Sequence, residues 1–151
     1  MYLTSEGRAL LAAHLDELKA VRLPALIAAL RDRDRDGRID ADYIRALREA
    51  SRINQLITSA GDVVDLPRAP NVVALGDRVA IMLESGERQE FMIVDPAEAP
   101  LDMVRISSDS PLSKALLGWN LGAEVTVRAP AGPYRCLIVG IERDKGRPSP
   151  A

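Results

Sequence analysis

The apolar residues of this 151-residue chain change their spacing once, near residue 66, and that change limits what it can fold into. Before it, Leu11, Leu15 and Leu18, continued by Leu26, Ile27 and Leu30, recur at helical intervals. After an aspartate-rich stretch, Tyr43, Leu47, Ala50, Ile53, Ile57 and Ala60 do the same. Steps of three and four place a narrow apolar seam along each helix, which predicts an antiparallel coiled-coil hairpin over 1–65 with an acidic tip. Beyond the two prolines of "LPRAPN", read as a linker over 66–72, the period shortens. "DRVAIML", "QEFMIV", "EVTVRAP" and "YRCLIVGIE" are β-rich runs separated by the turns "ESGE", "DPAEAP" and "PAGP". They predict a small antiparallel sheet over 73–143, and "SPLSKALLGW" adds one short helix with Ser110 as cap, Pro111 first and Gly118 at the stop. The tail, 144–151, is expected to fray. The fold class is α+β.

Local signals agree with this division. Thr4 or Ser5 can cap the first helix, Glu6 suits its positive end, and Gly61 followed by Asp62 can stop the second. Pro24 conflicts with a continuous helix: it lacks a donor and costs about 3 kcal/mol mid-helix. Because the apolar stripe resumes after it, a kink is expected there rather than a break.

The stretch "DRDRDGRIDADY", Asp32 to Tyr43, has five aspartates around Gly37. As a calcium loop, Asp32, Asp34, Asp36 and Asp40 would be carboxylate ligands and Arg38 would supply a carbonyl. The twelfth position, which should be a bidentate Glu, is Tyr43. Alternatively, the alternating Arg and Asp form a solvated, self-paired helix end, since surface pairs are worth only about 0–1 kcal/mol. The third reading is that the acids serve a metal held by another molecule. Net charge is −2, which argues against a general polyanion binder and against sequence-specific DNA recognition. One cysteine, Cys136, cannot pair internally, and no apolar run is of membrane-spanning length, so a cytoplasmic protein without a membrane partner is expected.

Several blocks together resemble the GreA/GreB family of bacterial transcription factors. In the second half they are "LGDRV" (75–79), "FMIVDPAEA" (91–99), "ISSDSPLSKALLGWNLGAEVTV" (106–127) and "LIVGIE" (137–142). In the first half they are "LTSEGRALLAAHLDELKAVRLP" (3–24), proline included, and "DADYIRALRE" (40–49). The resemblance implies a coiled-coil hairpin and a second domain similar to FKBP prolyl isomerases, acting as a monomer on RNA polymerase. That domain docks at the rim of the polymerase secondary channel, while two tip acids help hold a second Mg²⁺ and a water at the polymerase active site. Cleavage of backtracked RNA is then done by the polymerase, and the factor needs no cofactor of its own. The implied docking residues are Asp109, Ser110 and Pro111. The resemblance carries over Asp36 first and Asp40 after it as tip acids, with Asp34 and Asp42 as further candidates beside them.

The tip departs from the family pattern, roughly G-D-x-x-E-N-x-E-Y. Aligned backwards from Tyr43, Asp36 falls on the first acid but Ile39 on the other. About six residues missing over two arms shorten the reach by roughly 4–5 Å. Such a displacement is large for chemistry that tolerates about 1 Å. Some Gre-like proteins with altered, aspartate-rich tips occupy the same channel and inhibit the polymerase, and inhibition is what the resemblance implies here; a true cleavage factor and a calcium-binding interaction module are the alternatives. Arg45, Arg48 and Arg52 form a basic stripe on the second helix, a candidate contact to the channel or the nascent RNA 3′ end, or simply an exposed polar face. His14 has no second ligand at metal spacing, Cys136 reads as buried filler, and Trp119 is either packing or an exposed contact. No nucleophile–base pair or phosphate loop is visible, and the aromatics Phe91, Trp119 and Tyr134 are too few for an isomerase pocket.

Overall fold

The computed structural model describes residues 1–31, 37–67 and 69–143. Asp32, Asp34 and Asp36 and the 144–151 tail lie outside the described residues. In chain order the elements are β1 (Tyr2–Leu3), α1 (Ser5–Glu17), a π-helical turn (Leu18–Arg22), α2 (Leu23–Leu30), α3 (Gly37–Ser59) and β2 (Gly61–Asp62). After them come β3 (Arg78–Leu83), β4 (Arg88–Val94), β5 (Arg105–Ser107), α4 (Pro111–Leu116), β6 (Glu124–Ala129) and β7 (Gly132–Glu142). They divide into two compact units, Arg8–Ala60 and Met1–Gly7 with Gly61–Ala151.

In the helical unit the two arms run antiparallel. The Arg8 guanidinium donates to the carbonyls of Ile57 (2.6 Å) and Ala60 (2.8 Å), and the His14 Nε2 meets the Glu49 Oε1 at 3.0 Å. Arg8 thereby satisfies carbonyls that the end of α3 leaves without intrahelical partners. Buried side chains are Leu11, Leu15 and Leu18 on the first arm and Ala46, Ala50, Ile53 and Leu56 on α3. The stripe on α3 therefore differs from expectation: Leu47 is 42% exposed and Ala46 takes its place. Pro24 is accommodated without a break. The Leu23 N–H reaches back five residues to the Leu18 carbonyl, which widens the turn just before the proline ring. Among the described residues no helix is long and apolar enough to cross a membrane.

The second unit is built on a five-stranded sheet in the order β5-β4-β3-β7-β6. It corrects the expectation of a purely antiparallel sheet, because β5 pairs parallel to β4, with Ile93 opposite Ile106. A parallel neighbour requires a crossover rather than a hairpin. The 95–104 connection supplies it, with a 3₁₀ turn at Ala99–Leu101. A second, two-stranded pair, β1 with β2, is also parallel. The core combines the inward faces of the strands (Val79, Ile81, Ile93, Val125, Val127, Ile138) with Leu116 of α4 and Val73. Burying each such side chain is worth about 1.5–3 kcal/mol.

One ionic cluster inside this unit is buried. The Glu98 carboxylate accepts from the Thr4 N–H (2.8 Å), the Thr4 hydroxyl (2.7 Å) and the Arg105 Nε (3.1 Å), and Glu98 is 0% exposed. The Arg105 side chain, 2% exposed, also pairs with Asp102 and lies 3.4 Å from a Glu6 carboxylate oxygen. Burial opposes ionisation of both partners. In Arg105 the hydrogen bond to Glu98 and the charges of Asp102, Glu6 and Glu98 outweigh it, so its proton is held more tightly than usual. In Asp102 the backbone N–H and charge of Arg105, with the Val104 N–H, outweigh it and hold the carboxyl below its ordinary range. Thr4 also caps α1, its Oγ accepting from the Gly7 N–H at 3.0 Å. Gly7 has no room for a side chain: a Cβ there would lie 2.1 Å from the Glu98 Cδ.

Candidate functional site

The segment joining β5 to α4 is shaped by its own polar side chains. The Asp109 N–H donates to the Ser107 Oγ (3.1 Å) and the Ser110 N–H to the Ser107 carbonyl (2.9 Å). Ser110 is extended and caps α4: its Oγ accepts from the Ser113 N–H at 3.2 Å and donates to the Ser113 Oγ at 2.9 Å. Pro111 occupies the first turn, where its missing donor costs nothing, and Gly118 ends the helix at φ 85°. The result is a turn that holds the Asp109 side chain outward. Asp109 and Pro111 line a groove of about 460 Å³ together with Lys114, Ala115, Thr126 and Arg128. Lys114 and Ala115 lie one turn beyond Pro111, while Thr126 and Arg128 stand on the face of β6 opposite the core residues Val125 and Val127. Replacing Ser110 by Ala should cost about 1 kcal/mol in urea unfolding through the lost cap. A change below a few tenths would mean that the cap contributes nothing.

The aspartate stretch is described only from Gly37 onward. α3 begins there, so Asp40 lies in its first turn, exposed, where a negative charge suits the helix dipole. Asp42 is half-buried and pairs with Arg45 at 3.5 Å. Two positions apart on a helix, Asp40 and Asp42 do not face each other. Among the described residues no group of three His, Cys, Asp or Glu could hold a metal ion. Arg45, Arg48 and Arg52 are all exposed along α3. Cys136 is buried in β7, and burial pushes its thiol pKa up, away from the reactive thiolate. Trp119 is 53% exposed, although its backbone is held by hydrogen bonds with Val73 and Leu116.

Residues 68–143 match the family described as "Transcription elongation factor, GreA/GreB, C-term". The chain is 40% identical over 153 aligned positions to transcription elongation factor GreB of Pseudomonas aeruginosa, covering 93% of this chain and 89% of that one. The chain belongs to the GreA/GreB family. Transcription elongation factor GreA of Thermosipho africanus is 32% identical, with 94% and 96% covered. A crystal structure of GreA factor homolog 1 (Gfh1) of Thermus thermophilus is 30% identical over 94% of this chain and 98% of that one, at a TM-score of 0.43.

The Gre match spans the turn at Asp109 and the whole groove beside it. Lys114, Thr126 and Arg128 did not emerge from the sequence. Lys114 could have been found from its place one turn after Pro111, but nothing local links Arg128 to a helix that ends at Leu116. That proximity comes from α4 packing against β6.

Proposed function

We propose that this Gre-family chain binds RNA polymerase at its secondary channel through the Asp109–Ser110–Pro111 turn and modulates transcription with the acidic end of its helical unit. The observation that carries the docking half is Asp109: exposed, on a groove wall, and without an ion pair among the described residues. A carboxylate held outward by a capped turn is available to an outside donor without first breaking an internal bond. On this reading the sheet unit is the FKBP-like domain of the family and the helical unit its coiled coil. The chain catalyses nothing itself; any RNA cleavage belongs to the polymerase and its Mg²⁺.

The tip favours inhibition over cleavage. Its acids are differently spaced from the family pattern, and Asp40 and Asp42 diverge on α3. One of them alone can approach a given metal ion, whereas metal-assisted phosphoryl chemistry depends on a well-placed second ion. Calcium binding by the same stretch is disfavoured by the helical backbone at Arg38, whose carbonyl belongs to the intrahelical ladder rather than to an ion. Incubation with a stalled, backtracked elongation complex separates the readings: slowed extension without transcript shortening is expected, and rapid shortening identifies a cleavage factor. In the same assay, Asp109→Ala should weaken the effect at least about tenfold, as expected for one partner of a desolvated polar contact. An undiminished effect removes Asp109 from the interface.

A further inference from the structure

We infer that the groove between α4 and β6 receives a protein segment that sets a carboxylate beside an aliphatic side chain, and that Lys114 and Arg128 select for it. This deepens the docking reading above and rests on it. The groove, about 460 Å³, has a mixed lining: Asp109, Pro111, Lys114 and Ala115 come from the turn and α4, and Thr126 and Arg128 from β6. Lys114 and Arg128 are exposed, and among the described residues neither makes an ion pair. Among the described residues elsewhere on the same unit, two other exposed cations are engaged: Arg88 pairs with Glu90 at 3.2 Å and Arg135 with Glu124 at 3.7 Å. The edge of β6 thus carries a neutralised pair at Glu124 and an unneutralised charge at Arg128. Two cations without ion pairs, beside the apolar surface of Pro111 and Ala115, form a receptor for an anionic group attached to an aliphatic one.

Nucleic acid fits the same groove poorly. Asp109 repels a phosphate backbone, and no aromatic ring lines the groove for a base to stack on. A protein segment can meet all three charges, placing a carboxylate at Lys114 and Arg128 and a donor at Asp109. Complementarity of that kind sets partner choice and association rate.

The test measures affinity for core RNA polymerase with the full-length chain, comparing wild type, Lys114→Glu/Arg128→Glu and Asp109→Ala. Both cations are exposed, so the double variant should fold, and an unchanged thermal unfolding curve checks this. The expected result is a loss of at least about tenfold for the double variant, larger at low salt than at high salt. Retained affinity in the double variant beside a loss in Asp109→Ala overturns this inference and leaves the docking reading standing. Absence of wild-type binding overturns both. A fluorescent single-stranded RNA bound by the wild type and lost in the double variant, with polymerase affinity unchanged, assigns the cations to phosphate and likewise overturns the inference.

Discussion

Glu98→Ala should lower the unfolding free energy of the sheet unit by about 3–5 kcal/mol, the range for removing one member of a buried ion pair. Truncation removes the acceptor for the Thr4 N–H, the Thr4 hydroxyl and the Arg105 Nε at once. It leaves Arg105 with 2% of its side chain exposed and only the more peripheral Asp102 and Glu6 to compensate its charge. Trp119, in the same unit, reports the transition by its fluorescence in urea. Replacing Glu98 and Arg105 together by leucine should recover part of the loss, because the largest penalty is the stranded charge rather than the missing attraction. A single-variant loss below about 1 kcal/mol would mean that the cluster is not buried in solution.

Gly7→Ala should destabilise by about 3 kcal/mol, and its sign is the informative part. Gly7 is in α1, where alanine is ordinarily favoured over glycine by about 1 kcal/mol. Here the added Cβ would sit 2.1 Å from the Glu98 Cδ and 2.2 Å from its Oε1. The carboxylate cannot retreat cheaply, because Thr4 and Arg105 hold it. In the Glu98→Ala background the obstacle is gone, so Gly7→Ala should become neutral or stabilising there. That coupling is read directly from a double-mutant cycle in urea. A stabilising effect of Gly7→Ala alone would refute the packing described.

Most regular elements could be read from periodicity and punctuation. Two helical arms, the strands β3, β4, β6 and β7, and a short helix opened by Ser110 and Pro111 and closed by Gly118 all stand where local signals put them. Elements whose cause is non-local could not be read this way. β1 and β2 are two residues each, too short for any alternation, and exist only because they pair with each other. β5 is three residues, and its parallel direction is set by the crossover before it. The Glu98–Arg105 pair hides in an unremarkable "EAPLDMVR", since burial of a charge is decided by tertiary neighbours. The candidate site was half legible: the family motif marked Asp109, Ser110 and Pro111, while the opposite wall of the groove required the sheet to be assembled. The stripe on α3 shifted from Leu47 to Ala46 because several apolar residues at helical spacing support more than one seam.

Met1–Gly7 belongs with Gly61–Ala151, not with the helices that follow it in sequence. The globular module is therefore discontinuous, and residues 8–60 are an insertion spliced into it. Lengthening or trimming that insertion leaves the hydrogen bonds within the host unit untouched, so its length can vary without rebuilding the host. Cutting the chain at its proline-rich junction, by contrast, would not release an intact module, because its first seven residues would be left on the wrong piece.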